Sequence, residues 1–201
     1  MLRLRVQSVF NIKGDDSLKD PIYFAKVKPD AIIPSKREED GCFDIYACFD
    51  EPFICISPGE IKLIPTGIAS AFDKKYRADL RERGSTGMKG LSRRSGQIDS
   101  GYRNEWFIPI NNTTSKPIAI VKDMGMFEKY KEQMSFTVWN SDREPETTFY
   151  NVEHTIYPYT KAICQMALEF VPDVDVNEIP YEELLEMKSE RMLGKLGSSE
   201  K

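Results

Sequence analysis

With one histidine in 201 residues, His154, triads and metal centres built on histidine are excluded. Acid–base chemistry falls to carboxylates, tyrosine, lysine or water. Five segments carry residue types suited to it. Asp40-Gly41-Cys42-Phe43-Asp44-Ile45-Tyr46-Ala47 brings the carboxylate of Asp44 into a strand-like run. Arg83-Gly84-Ser85-Thr86-Gly87-Met88-Lys89-Gly90 sets a guanidinium beside hydroxyls and flexible backbone. Exposed amides and hydroxyls of that kind suit a phosphate, although the G-x-x-x-x-G-K-[ST] pattern of a P-loop is absent. In Ser95-Gly96-Gln97-Ile98-Asp99-Ser100-Gly101-Tyr102-Arg103-Asn104-Glu105, Asp99 and Tyr102 share a tight turn between strand-like segments, the pattern of a β-hairpin with a polar tip. Gln165 stands in the apolar run Lys161-Ala162-Ile163-Cys164-Gln165-Met166 and needs hydrogen-bond partners if buried. Arg191 precedes a Gly/Ser-rich end, 193–201, with the composition of a mobile arm. Taken singly, each segment is a common surface feature.

The elements that must position these residues are short strands. Prolines and glycines punctuate the chain at Pro34, Gly41, Pro52, Pro58-Gly59, Pro65, Gly67, Gly84, Gly96 and Gly101, and Asn111-Asn112 reads as a further turn. Between them lie β-branched and aromatic stretches at 43–48, 53–56, 61–64, 105–110, 117–121, 136–139, 147–152 and 162–170. Strands at this spacing predict an all-β sandwich or barrel. A doubly wound sheet would need intervening helices of about 10 to 15 residues. Two short helices are expected, 127–134 (FEKYKEQM) and 181–190 (YEELLEMKSE), the second following Asn177 and Pro180.

The net charge is −4, with 40% hydrophobic and 30% charged residues, as in ordinary globular domains. A duplex binder would be basic, so direct nucleic-acid binding is not expected. There is no apolar run of about 18 residues, and the start, MLRLRVQSVFN, lacks the apolar stretch of a signal peptide. These features predict a cytoplasmic protein without a membrane partner. Cys42, Cys48, Cys55 and Cys164 have no C-x-x-C spacing and are expected to be reduced.

In order along the chain, the segments resemble the five motifs of the trimeric dUTPase family. DGCFDIYA is similar to its A-G-Y-D-L element and PTGIASAF to its T-G-hydrophobic strand. RGSTG is similar to R-S-G or R-S-S, and GQIDSGYRNE to G-x-I-D-x-x-Y-R-G-E. KAICQ is similar to G-D-R-I-A-Q, and R-x-x-G-K-L-G-S-S to R-G-x-G-G-F-G-S-T-G. The resemblance implies a dUTPase-like β-sandwich or jelly roll, assembled as a homotrimer with active sites between subunits. It implies hydrolysis of dUTP to dUMP and pyrophosphate with Mg²⁺, Asp99 activating the attacking water. Tyr102 would lie against the deoxyribose and leave no room for a 2′-hydroxyl, while the backbone at Gln97 and Ile98 would read uracil. Arg83, Ser85, Thr86 and Gln165 would contact phosphates, and Asp44 would hold the metal environment through water. Arg191, Leu196 and Ser198 would close over the nucleotide from a neighbouring subunit. Departures from the pattern include Gly84 where serine is common, Cys42 and Met192 for glycines, Thr160-Lys161 for Gly-Asp, and Leu196 for a base-stacking phenylalanine.

The whole chain, 1–201, reads as one domain with an insertion at about 122–156 and an arm at about 187–201. Some phage-encoded members carry extra structure at the insertion, which is a surface decoration or a candidate protein-binding element. Two alternatives follow. In a regulatory or scaffold protein of the same fold the insertion would act in place of catalysis. In a dCTP deaminase relative, a glutamate would stand three residues before Asn112, where this chain has Pro109.

Overall fold

A computed structural model describes residues 20–133, 135–139, 145–149 and 153–189. In chain order the described strands are β1 (Ile22–Lys26), β2 (Phe43–Ile45), β3 (Phe53–Ile56), β4 (Ile61–Pro65), β5 (Ile68–Phe72), β6 (Tyr76–Arg81), β7 (Leu91–Arg93), β8 (Gln97–Asp99), β9 (Phe107–Asn112), β10 (Ile118–Val121), β11 (Ser135–Trp139), β12 (Pro145–Phe149), β13 (Thr155–Pro158) and β14 (Cys164–Phe170). The helices are α1 (Gly84–Gly87), α2 (Met124–Tyr130) and α3 (Tyr181–Glu186). The architecture is all-β, with no helix longer than two turns among the described residues and none long and apolar enough to cross a membrane.

Four small sheets wrap one core. Their strand orders are β1-β5, β13-β10-β3, β2-β14-β6-β8 and β4-β9-β7, while β11 and β12 pair apart as an antiparallel hairpin. The strands alternate as half-buried strands should. Ile68 and Phe72 of β5, Ala78 and Leu80 of β6, and Ile108 and Ile110 of β9 point into the same core as Trp106, which is fully buried. β10 is buried on both faces: Ile118 and Ile120 enter the main core, and Ala119 and Val121 meet Phe127 of α2. Phe127 stacks edge-on against Phe53 at 5.4 Å. The root of the expected insertion is therefore packed rather than merely decorative.

Several boundaries differ from the sequence expectation, each for a local reason. The expected strand 43–48 ends at Ile45. Beyond it the backbone changes partners, Cys48 N–H donating to Pro65 O at 2.8 Å, while Ala47, Cys48 and Phe49 stay buried. The expected Asn111-Asn112 turn is the buried end of β9. Asn112 Nδ2 donates to Ile56 O and Lys116 O at 2.9 and 2.8 Å, which satisfies a side chain with no exposed surface. Helix α2 begins three residues before the expected 127 because Asp123 caps it, accepting from Met126 N–H at 3.0 Å. The described residues form two compact units that divide between Val171 and Pro172. In the second unit α3 begins after Pro180 and carries Glu182 and Glu183 in its first turn, where acidic residues suit the helix dipole.

Candidate functional site

The sheet β2-β14-β6-β8 carries four of the expected site residues, Asp44, Gln165, Gln97 and Asp99, on its outer face. Its inner face is apolar, with Ile45, Ala78, Leu80 and Met166 buried and Ile98 packed on them. Outward, the antiparallel registers make three rows: Asp44, Gln165 and Arg81; Ala167, Asp79 and Gln97; Glu169, Arg77 and Asp99. Glu169 bridges Arg77, at 3.0 Å, and Arg81, whose Nε also meets Asp79 at 2.8 Å. This polar ladder separates two groups of expected site residues.

The first group surrounds Arg83. Its Nε lies 2.9 Å from Asp44 Oδ1 and its Nη2 donates to Asp44 Oδ2 at 3.2 Å, a two-point pair. Nη1 reaches Ser85 Oγ and Ala162 O, both at 3.5 Å. Ala162 O also accepts from Tyr157 Oη at 2.6 Å, so a buried tyrosine that the sequence reading did not single out backs the arginine. Burial raises the Tyr157 hydroxyl above the usual tyrosine range, and burial pushes Cys164, between Ile163 and Gln165, up to about 12. Gln165 Nε2 donates to Glu82 O at 2.8 Å and fixes the approach to α1. Asp44, Arg83 and Gln165, together with loop 35–42, line a pocket of about 700 Å³.

Thr86, expected among the phosphate contacts, points inward instead. It is fully buried, and its hydroxyl donates to Arg83 O at 2.9 Å and accepts from Arg83 N–H at 3.0 Å. It shapes the loop and leaves the exposed Ser85 as the hydroxyl available to a ligand. Gly90 closes the loop with φ +76°, and a Cβ there would meet Thr114 Cγ2 at 2.2 Å, so only glycine fits.

The second group sits on the turn after β8. Tyr102 N–H donates to Asp99 O at 3.0 Å and closes it. The expected hairpin is not formed: β8 pairs with β6, whereas β9 pairs with β4 and β7 in another sheet. The turn is a corner between sheets. Gln97 and Asp99 face solvent, joined by a Gln97 Nε2 to Asp99 Oδ1 bond of 2.6 Å, and Tyr102 is partly exposed. Ile98 is anchored in the core, so only its backbone is open to a ligand. Arg103 clamps the corner, Nη1 donating to Ser70 O at 3.2 Å and to Ser100 O. Its place beside Tyr102 in the motif-like segment was the available signal for that role. Arg191, Leu196 and Ser198 lie outside the described residues.

The donor set bears on a metal. No group of three or more His, Cys, Asp or Glu side chains suited to an ion occurs among the described residues. Two carboxylates line the pocket, Asp40 and Asp44, each paired with an arginine; so sparse a set fits Mg²⁺ held mainly by phosphates and water, and does not fit a caged ion such as structural zinc.

A dUTPase family model matches residues 28–124, which begins after β1 and takes in β2 to β10 with the expected site residues of both groups except Gln165. The deoxyuridine 5′-triphosphate nucleotidohydrolase of Leptospira interrogans is 27% identical over 122 residues, 59% of this chain and 83% of that protein. The one from Rickettsia canadensis is 31% identical over 114 residues, 55% of this chain and 76% of that protein. Among solved structures, the Staphylococcus bacteriophage 80alpha dUTPase with dUPNHPP superposes with a TM-score of 0.64 at 20% identity, covering 90% of this chain and 99% of that one. The dUTPase of phage phi11 of S. aureus, described with a species-specific insert, gives 0.56 at 17% identity, over 80% of this chain and 96% of that one. The chain belongs to the dUTPase family.

Proposed function

We propose that the protein hydrolyses dUTP to dUMP and pyrophosphate by in-line attack of a water that Asp99 activates. The observation that carries this reading is the position of Asp99, at the solvent-facing end of β8 with Tyr102 one turn away. A carboxylate so placed can hold and deprotonate a water. Tyr102 offers a ring face to the sugar, and the backbone of Gln97 and Ile98 offers amide and carbonyl groups to uracil. Arg83, Ser85 and Gln165 bind phosphates in the pocket. Asp44 would hold Mg²⁺ at the pocket, where the ion, when bound, would supply positive charge against the phosphates. Arg191, Leu196 and Ser198 cover the bound nucleotide.

The same geometry supports a site shared between copies. Asp99 and Asp44 are at opposite corners of the three-row ladder. With rows two residues apart at ~3.3 Å per residue and strands ~4.8 Å apart, they stand roughly 20 Å from each other. A phosphate chain gripped at Arg83 cannot bring its α-phosphorus to Asp99 of the same chain over that span, so the Asp99 corner serves a neighbour's pocket. An exposed apolar strip, Ile61 and Leu63 of β4 and Phe107 of β9, offers a surface for such assembly. We assign the assembly as a homotrimer.

A pyrophosphate-release assay across the deoxynucleoside triphosphates, with and without Mg²⁺, tests the reading. Release from dUTP that requires Mg²⁺ and disappears in Asp99→Asn, with nucleotide binding retained, is expected. Full activity of that variant would refute the role of Asp99, and ammonia release from dCTP would point to a deaminase.

A further inference from the structure

The pocket that holds Asp44, Arg83 and Gln165 is also lined by Lys36 and Arg37, two cations outside the motif-like segments. Their situations differ. Arg37 is taken by Asp40, with Nε and Nη2 at 2.9 and 3.0 Å from its two oxygens, as Arg83 is taken by Asp44. Lys36 meets carbonyls and a ring. Its Nζ donates to Asp40 O at 2.6 Å, Glu38 O at 3.3 Å and Arg37 O at 3.4 Å, and lies 5.6 Å from the centre of the Phe43 ring. Such partners hold an ammonium in place without cancelling its charge. Among the residues lining the pocket, two carboxylates answer two guanidiniums, and the ammonium is the charge left over.

The backbone fixes where that charge sits. Asp44 N–H donates to Ser35 O at 3.0 Å, an isolated bridge that ties the loop to β2 immediately before Lys36. The Arg83 loop, by contrast, is poor in phosphate donors. Gly84 has no side chain, and the Thr86 hydroxyl is turned inward. We propose that Lys36 is a phosphate-binding residue that grips the β- and γ-phosphates of the substrate together with Arg83, in place of a hydroxyl the loop lacks. This rests on the dUTP reading above. A point charge held on carbonyls suits the multiply charged end of the substrate and contributes little to dUMP, whose single phosphate is the one nearest the sugar.

Calorimetric titrations of the unsubstituted protein, Lys36→Met and Lys36→Arg with pyrophosphate, α,β-imido-dUTP and dUMP, all in Mg²⁺ buffer, test it. Lys36→Met should bind pyrophosphate and imido-dUTP about tenfold more weakly, the size of one charge-assisted hydrogen bond. It should keep its dUMP affinity and melting temperature, and its imido-dUTP affinity should vary less with salt. Lys36→Arg should stay within about twofold of the parent, since the charge is kept. Unchanged affinity for pyrophosphate and imido-dUTP in Lys36→Met would overturn the proposal. So would an equal loss for dUMP, which would mark a distorted loop. If the unsubstituted protein binds neither imido-dUTP nor dUMP, the dUTP reading fails and the proposal with it, a result seen before any variant is made.

Discussion

Replacing Thr86 with valine keeps its shape and removes only the hydroxyl, so it isolates what that group does. Thr86 has no exposed surface, and valine leaves no cavity. Two hydrogen bonds are lost, and they are not equal. Arg83 O keeps other donors, the N–H groups of Thr86 and Gly87 at 3.1 and 2.9 Å, so losing the hydroxyl there costs about 0.5–1 kcal/mol. The Arg83 N–H loses the acceptor it has at 3.0 Å. An orphaned donor costs about 1–3 kcal/mol, the lower end applying because Arg83 is half-buried and water can reach it. The sum is about 2 kcal/mol, a fall in melting temperature of about 4–8 °C for a chain of this size. Urea unfolding followed by circular dichroism at one protein concentration measures it, since an oligomer's apparent stability depends on concentration. Because the hydroxyl sets the backbone that carries Arg83 and Ser85, KM for dUTP should rise as well. Thr86→Ser should recover most of both losses. A change below 0.5 kcal/mol with an unchanged KM would refute the reasoning and return Thr86 to the ligand-facing side of the loop.

Other outcomes follow from the same geometry. Asp44→Asn removes a partly exposed ion pair, so stability should move by less than about 1 kcal/mol, while the Mg²⁺ concentration for half-maximal hydrolysis should rise; an unchanged Mg²⁺ titration would remove Asp44 from the metal environment. Phe127→Ala should cost about 3–5 kcal/mol in denaturant unfolding by emptying the cluster between α2 and β10, with kcat of the folded protein kept. Iodoacetamide at pH 8 should leave Cys55 and Cys164 unlabelled in mass spectra of the native protein. Burial pushes their thiols to about 11 and 12, so the reactive thiolate is favoured only well above pH 10, and labelling below that would contradict the packing. Truncation after Ser189 should lower turnover strongly without changing the melting temperature, and an unchanged rate would show that Arg191, Leu196 and Ser198 do not close the site.

What the sequence made legible was whatever is written locally. β3, β4 and β10 follow from short β-branched runs between prolines and glycines, and the Asp99–Tyr102 turn from its glycine and spacing, because a turn's chemistry lies within four residues. Pairing is not local. Nothing in GQIDSGYRNE says that β8 will lie against β6 while β9 leaves for another sheet, so the corner reads as a hairpin until register is known. The direction of a small polar side chain is equally hidden. Ser85 and Thr86 look alike in a glycine-rich loop, yet one faces solvent and the other fills the core beneath it, a choice made by which backbone groups need partners. Lys36 shows the same limit from the other side. In SKREED it reads as one charge of a solvated run, and it acquires a direction only when the loop folds its carbonyls around the ammonium and β2 ties Ser35 to Asp44. Counted within the motifs, Gly84 leaves the loop one phosphate-contacting hydroxyl short. Phosphate, however, responds to charge from any part of the chain that reaches it. The grip is therefore to be judged from the pocket, where Lys36 stands beside Arg83, and not from how many motif positions this chain retains.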